Sequence, residues 1–284
     1  MNTLVDILNL EQLDLNLFRS RAHQVNMSGR LYGGQVLAQS LIAAQLTVED
    51  RQAHSMHAYF LRAGSGETPV IYDVERIRDG GSFTTRRVLA RQSGRVIFNA
   101  AISFHKQEPG FEHQMPAVDM PNLPTTEEVE AHRAARSAFE KPHKTLKKSP
   151  VSRLFDFIPV GDTPFASENV TDPNGAFWFR CTEELPGDIN VQRGALTYAS
   201  DMGLLAAALF PHPTTFFNRK QMVASLDHAL WFHDNTNLND WLLFQVDSPW
   251  AGNARGFTRG LIYTANGELI ASATQEGLIR PLQQ

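Results

Sequence analysis

The chain of 284 residues repeats itself, and no other feature narrows its choice of fold as much. Laying "HAYFLRAGSGETPVIYDVE" over "ALWFHDNTNLNDWLLFQVD" at an offset of 172 (232 − 60) brings Phe60 onto Phe232, Tyr72 onto Phe244 and Val74 onto Val246. The same offset sets Arg87 on Arg259 and Leu89 on Leu261. After one inserted residue, Gly94 meets Gly267 and Ala100 meets Ala273. Each copy reads as an aromatic-rich strand, a loop, two further strands, a Gly-centred turn and a last strand. The turns are "QSGR" and "ANGE", the second carrying the Asn-Gly of a hairpin.

An Ala/Leu-rich helix precedes each copy. The first is "GGQVLAQSLIAAQL", opened by Gly33-Gly34, and the second is "ALTYASDMGLLAAALF", residues 195–210. The second is apolar on every side of a helical wheel, the mark of a helix buried all round. At an offset of 162 (201 − 39), Gln39 falls on Asp201. A helix with apolar neighbours on every side, followed by four antiparallel strands, needs a sheet that curls around it. This is the hotdog architecture, and the α+β chain is expected to hold it twice, as a double hotdog with its two sheets side by side. Residues 1–107 are the N-terminal repeat, 108–150 a surface connector with a helix at "TTEEVEAHRAARSAFEK", and 151–284 the C-terminal repeat. The connector's "KPHKTLKK" reads as a solvated basic patch, and the N-terminal "MNTLVDILNLEQLDLNLF" as a short amphipathic helix.

Composition excludes several functions. A net charge of −4 provides no basic field for nucleic acid or an anionic membrane. No apolar run approaches the ~20 residues that cross a bilayer, and no secretory leader is visible. One cysteine, Cys181, allows neither an intramolecular disulfide nor a multi-cysteine metal site, and suits a reducing, cytoplasmic setting. "HSMH", His54 to His57, puts its histidines on opposite faces of a strand. No metal or bound cofactor is expected, and nucleophile elbows, Walker loops and dinucleotide fingerprints are missing.

Asp201 is therefore conspicuous, because an ionised carboxylate in an apolar helix is costly unless hydrogen-bonded. In "LIASATQEGLI" the alternate residues Ala271, Ala273, Gln275 and Gly277 share a face, so Gln275 projects from a surface of small residues. Ser225 lies on the strand entering the second copy, ahead of Asp227 and His228. The repeat offers a control: Gln275 corresponds to Ile102, Ser225 to Ala53 and Asp201 to Gln39. A requirement of the fold would appear in both copies; a carboxylate, hydroxyl and amide confined to one copy reads as a site. Asp201, Ser225 and Gln275 are the candidate catalytic residues, an Asp base for a water that Ser and Gln can hold. Without a strong nucleophile, water attack on an activated bond such as a thioester is the natural chemistry, with backbone N–H groups at a helix start for the oxyanion.

At these residues the chain resembles the acyl-CoA thioesterase II family. The likeness spans nearly its whole length and is strongest in "GGQVLAQSL", "HSMHAYFLRAG", "PVIYDVERIRDGGSFTTRRV", "GFEHQ", "YASDMGLL", "SLDHALWFH", "WLLFQVDSP", "ARGFTRG" and "ATQEGLIR". The resemblance implies double hotdogs that hydrolyse fatty acyl-CoA, of broad medium-to-long chain preference. It implies a catalytic Asp, a Thr or Ser before the "DH" pair and a Gln in the last strand, which fall on Asp201, Ser225 and Gln275. His54 is a further candidate on the same grounds, with a structural role the alternative. The ending "RPLQQ" lacks the peroxisomal tripeptide of many eukaryotic relatives. Arg86, Arg87, Arg255 and Arg259 are candidates for the CoA phosphates. A homo-oligomer, dimer or tetramer, is expected from edge-to-edge sheet joining. Two alternatives stay open: an acyl-CoA hydratase or dehydratase, and a non-catalytic acyl-CoA-binding protein.

Overall fold

In a computed structural model the chain is described over residues 2–26, 29–117, 120–140, 151–161, 163, 168–216, 218 and 220–282. The basic patch "KPHKTLKK" lies outside the described residues.

The first half comprises α1 (Leu4–Leu8), β1 (Leu10–Asp14), β2 (Leu17–Ser20), α2 (Gly33–Gln45), β3 (Gln52–Phe60), β4 (Ile71–Asp79), β5 (Phe83–Gln92) and β6 (Arg95–His105). After α3 (Thr126–Glu140) and α4 (Val151–Leu154) come β7 (Phe155–Pro159), β8 (Asn174–Cys181) and α5 (Ile189–Ser200). The chain ends in β9 (Gln221–Ser225), β10 (Asp227–Phe232), β11 (Leu242–Gly252), β12 (Arg255–Thr264) and β13 (Leu269–Pro281). All the strands join one antiparallel sheet in the order β1-β2-β4-β5-β6-β3-β10-β13-β12-β11-β8-β7, with β9 on β13. Outward from the β3–β10 pair, each half runs through the same six strands. The duplication read from the sequence is thus a pseudo-twofold of the sheet, and the double hotdog is what the chain forms. The fused sheet curls around α2 and α5, which also pack on each other.

Local signals explain these elements. Ser93 and Gly94, both at positive φ, make the two-residue β5–β6 turn that matches strand twist. "ANGE" forms a longer turn: Gly267 N–H donates to the Thr264 carbonyl and Thr264 N–H to that of Glu268, with only Gly267 at positive φ. Thr125 and Glu128 exchange capping bonds at the start of α3. Residues 106–116 are mostly exposed, whereas α3 packs its buried Val129 beside Ile158, Trp178, Leu243 and Tyr263. Arg133 of α3 grips the buried Asp156 of β7 through two 2.8 Å bonds. The β1–β2 hairpin after α1 was not foreseen.

One expectation is corrected. Residues 195–210 are not one helix: α5 ends at Ser200, Asp201 is its C-cap, and Gly203 turns the chain at φ +76° into a short 3₁₀ helix, Leu205–Leu209. The apolar residues on all sides serve two segments. Residues 195–199 pack with the interhelical core, while Leu204, Leu205 and Ala208 lie on the sheet over Gly260, Gly277 and Gly256. A Cβ at any of these glycines would come within about 2.5 Å of an apolar side chain, so close contact there requires glycine.

Candidate active site

The helix pairing inferred for Asp201 also shifts. Both ends of α2 and α5 match at an offset of 155 or 156 (200 − 45; 189 − 33), so Asp201 corresponds to Leu46, the C-cap of α2. Ala-rich sequences slide over one another, which is why the sequence pairing chose Gln39. That residue is a buried structural amide, accepting from the Tyr72 hydroxyl at 2.6 Å and donating to the Ile7 carbonyl. The contrast between copies survives, since Leu46 carries no carboxylate.

The helices run antiparallel in contact, so the C-cap of α5 meets the start of α2. A Cβ on Gly33 would lie 2.8 Å from Asp201 Oδ2, and one on Gly34 would lie 2.4 Å from the Tyr198 carbonyl oxygen. Only glycine allows so close a crossing. It brings the Gly34 N–H onto the Asp201 carboxylate. From the sheet, Gln275 Nε2 donates to Asp201 Oδ1 at 2.8 Å, and the Ser225 hydroxyl bonds the same carboxylate. Burial disfavours the charge more than these three donors, Gln275, Gly34 and Ser225, favour it. The carboxyl is pushed up from 3.8 to about 6. The structure therefore gathers all three sequence-predicted residues around one titratable group. It adds Gly34, which the sequence reading placed at the helix opening without assigning it a contact.

A β-bulge aims the sheet residues. The pairs Ser225↔Gly277 and Ala229↔Thr274 differ by one step in register, with Leu226 N–H donating to the Glu276 carbonyl between them. Ser225 and His228 can then both face inward although three positions apart. The first copy has the same bulge, between Ala53↔Phe104 and Ser55↔Ser103. The bulge belongs to the fold and the polar side chains to one copy. Gln275 pairs with Thr258, whereas at the same register Ile102 pairs with Arg86.

The remaining candidate residues have partners of their own. His54, at the first copy's bulge, bonds Ser103 Oγ at 2.8 Å and packs on Phe83 and His105. Those partners all belong to the first copy, away from Asp201. Arg86 is corrected as a phosphate ligand: it is 1% exposed and spends its donors on Thr47, Arg78, Thr85 and Asp79. Arg87, Arg255 and Arg259 pair with Glu75, Glu276 and Asp247. Asp227 and His228 diverge: Asp227 takes the Glu276 N–H while His228 is buried against Ser200. Burial pushes the Cys181 thiol up to about 11, leaving an inert strand residue.

The family model for acyl-CoA thioesterase matches residues 162–278, and that for the acyl-CoA thioesterase N-terminal domain matches residues 22–105. The chain is 37% identical to acyl-coenzyme A thioesterase 8 of Mus musculus over 96% of its length and 88% of that protein's. It is 37% identical to acyl-CoA thioesterase 2 of Haemophilus influenzae, covering 99% and 98%. The crystal structure of an acyl-CoA thioesterase II, TesB2, from Mycobacterium marinum superposes with a TM-score of 0.78 at 37% identity, over 98% of this chain and 97% of that one. A hot dog protein from Alicyclobacillus acidocaldarius, at 18% identity and TM-score 0.76, shares the fold. The chain belongs to the acyl-CoA thioesterase family. Among the described residues, no helix is long and apolar enough to cross a membrane.

Proposed function

We propose that the protein hydrolyses fatty acyl-CoA thioesters to free fatty acid and CoA, with Asp201 as general base and Ser225 and Gln275 holding the attacking water. The observation that carries this reading is one buried carboxyl, poised at about 6, touched by Gln275, Gly34 and Ser225. A base with that pKa is ionised at neutral pH yet basic enough to take a proton from water. The water oxygen bonds to the thioester carbonyl carbon as its proton passes to Asp201. The tetrahedral oxyanion finds donors at the start of α2, where first-turn N–H groups lack intrahelical acceptors. Collapse breaks the C–S bond, and the departing CoA thiolate takes the proton back from Asp201. The chemistry calls for no cofactor.

A broad medium-to-long chain preference and a cytoplasmic setting complete the reading. Among the described residues the strand order ends at β1 and β7 with no further partner strand, which supports a homo-oligomer, dimer or tetramer. The hydratase alternative required Asp227 and His228 to converge, and they do not. The test is thiol release from palmitoyl-CoA and a shorter acyl-CoA by wild type and Asp201→Asn. Turnover by wild type with loss of about 100-fold or more in a folded Asn variant is expected. Unimpaired turnover by the variant would return Asp201 to a structural role, and no release by wild type would leave the non-catalytic acyl-CoA binder.

A further inference from the structure

Behind Asp201 lies a polar pair that the hydrolysis described above does not use. Ser200, the last residue of α5, donates its hydroxyl to the Thr197 carbonyl at 2.9 Å. That carbonyl is one of the acceptors a helix end leaves unmatched, because the Asp201 N–H turns to Ala199 instead. A hydroxyl has one hydrogen, so the contact of 3.0 Å between His228 Nε2 and Ser200 Oγ requires the imidazole to be the donor. His228 is 1% exposed, and burial lowers its pKa to about 3, so the ring is neutral. Its Nδ1, left as an acceptor, is buried with no partner among the described residues.

The fold does not ask for this histidine. Its counterpart at the same offset of 172 (228 − 56), beside the same bulge, is Met56, fully buried and apolar. An orphaned buried Nδ1 is a cost that the first copy avoids with methionine. His228 is therefore a fourth copy-specific polar residue beside Asp201, Ser225 and Gln275. It also neighbours Gln275 across the β10–β13 pairing, whose next step is Ala229↔Thr274.

We infer that His228 is a positioning residue for the hydrolytic site: through Ser200 it fixes the last turn of α5 and with it the direction of the Asp201 carboxylate. The chain of donors runs from His228 Nε2–H to Ser200 Oγ–H to the Thr197 carbonyl, and Asp201 follows the residue at its centre. The pair touches no reacting atom; it acts by preventing the C-cap from rotating Asp201 away from Gln275 and Ser225. This inference rests on the proposed role of Asp201.

The experiment compares palmitoyl-CoA hydrolysis by the full chain as wild type, His228→Met, His228→Gln, Ser200→Ala, the His228→Met/Ser200→Ala double variant and Asp201→Asn. His228→Met installs the residue its own twin uses, so its melting temperature should equal or exceed that of wild type. Its kcat should fall by up to about 100-fold, with KM within a few-fold, as misplacing a reacting group does. His228→Gln, whose amide nitrogen can stand where Nε2 stood, should recover most of that loss. Ser200→Ala should match His228→Met, and the double variant should be no slower than either single one. Wild-type kcat in His228→Met, or a Gln variant as slow as the Met variant, would overturn the inference. Should His228→Met melt early, Ser200→Ala decides: a kcat loss at unchanged melting temperature supports the role, and wild-type kcat ends it. Wild-type activity in Asp201→Asn would instead refute the reading of the site on which the inference stands.

Discussion

Asp201 combines a stability cost and a chemical use in one group. Burial raises its folded pKa from 3.8 to about 6, so the native state holds a proton that the unfolded chain releases. Stability is full while the carboxyl is protonated in both states, below about pH 4, and declines as pH rises to about 6; above that the charge costs about 3 kcal/mol. Asp201→Asn should accordingly melt higher than wild type at pH 8, with the gap closing towards pH 4. Greater destabilisation of the Asn variant at pH 8 than at pH 4 in calorimetry would show that the carboxylate is a net support instead. Activity should carry an acid limb near pH 6, because the base must be ionised. Ser225 lowers the Asp201 pKa, so Ser225→Ala should move that limb to higher pH and reduce kcat. Ser225→Thr keeps the hydroxyl and should stay within a few-fold of wild type. A limb unmoved in the Ala variant would remove Ser225 from the site.

Elements set how close these groups come, and the glycine pair opening α2 tests this directly. At Gly34 a Cβ would meet the Tyr198 backbone and the Tyr32 ring, neither of which can yield without separating the helices. Gly34→Ala should destabilise by roughly 1–3 kcal/mol, read as a melting temperature lower by several degrees. At Gly33 the Cβ would meet the Asp201 Oδ2 instead, the far end of a side chain. Gly33→Ala should therefore lose activity with a much smaller change in melting temperature; equal melting losses in the two variants would contradict this division. Strands β4 to β6 and β11 to β13 were legible because repeated residues and Gly turns marked them twice. The β1 strand was not, since only Leu10 of its five residues is buried and no alternation results. The break in 195–210 escaped because local apolarity says that a residue is buried and not against what; Gly203 was the visible warning. Of the site, Asp201, Ser225 and Gln275 could be read by comparing copies. His228 over Met56 was available to the same comparison, but a strand read without its bulge sends Ser225 and His228 to opposite faces.

The whole molecule follows from one junction. Pairing β3 with β10, Asp227↔Tyr59 through Trp231↔Ser55, makes a single sheet from two copies. Across that junction the first copy's α2 supplies Gly34 to a carboxylate owned by the second. The site is thus bipartite, although every titratable member lies in one half. We propose the division 1–107, 108–150 and 151–284 as structural units that are not functional ones. Residues 1–140 and 151–284 made as separate chains expose the β3 and β10 edges and one face of each central helix. Each alone should be inactive and prone to association, since long unpaired edges and large apolar faces drive aggregation. Coexpressed, they should pair through β3–β10 and recover thioesterase activity, because α3 stays with the first fragment and still carries Val129 and Arg133 to the second. Activity in residues 151–284 alone would show that α2 contributes nothing essential. A soluble, assembled pair without activity would place a requirement on the covalent link itself.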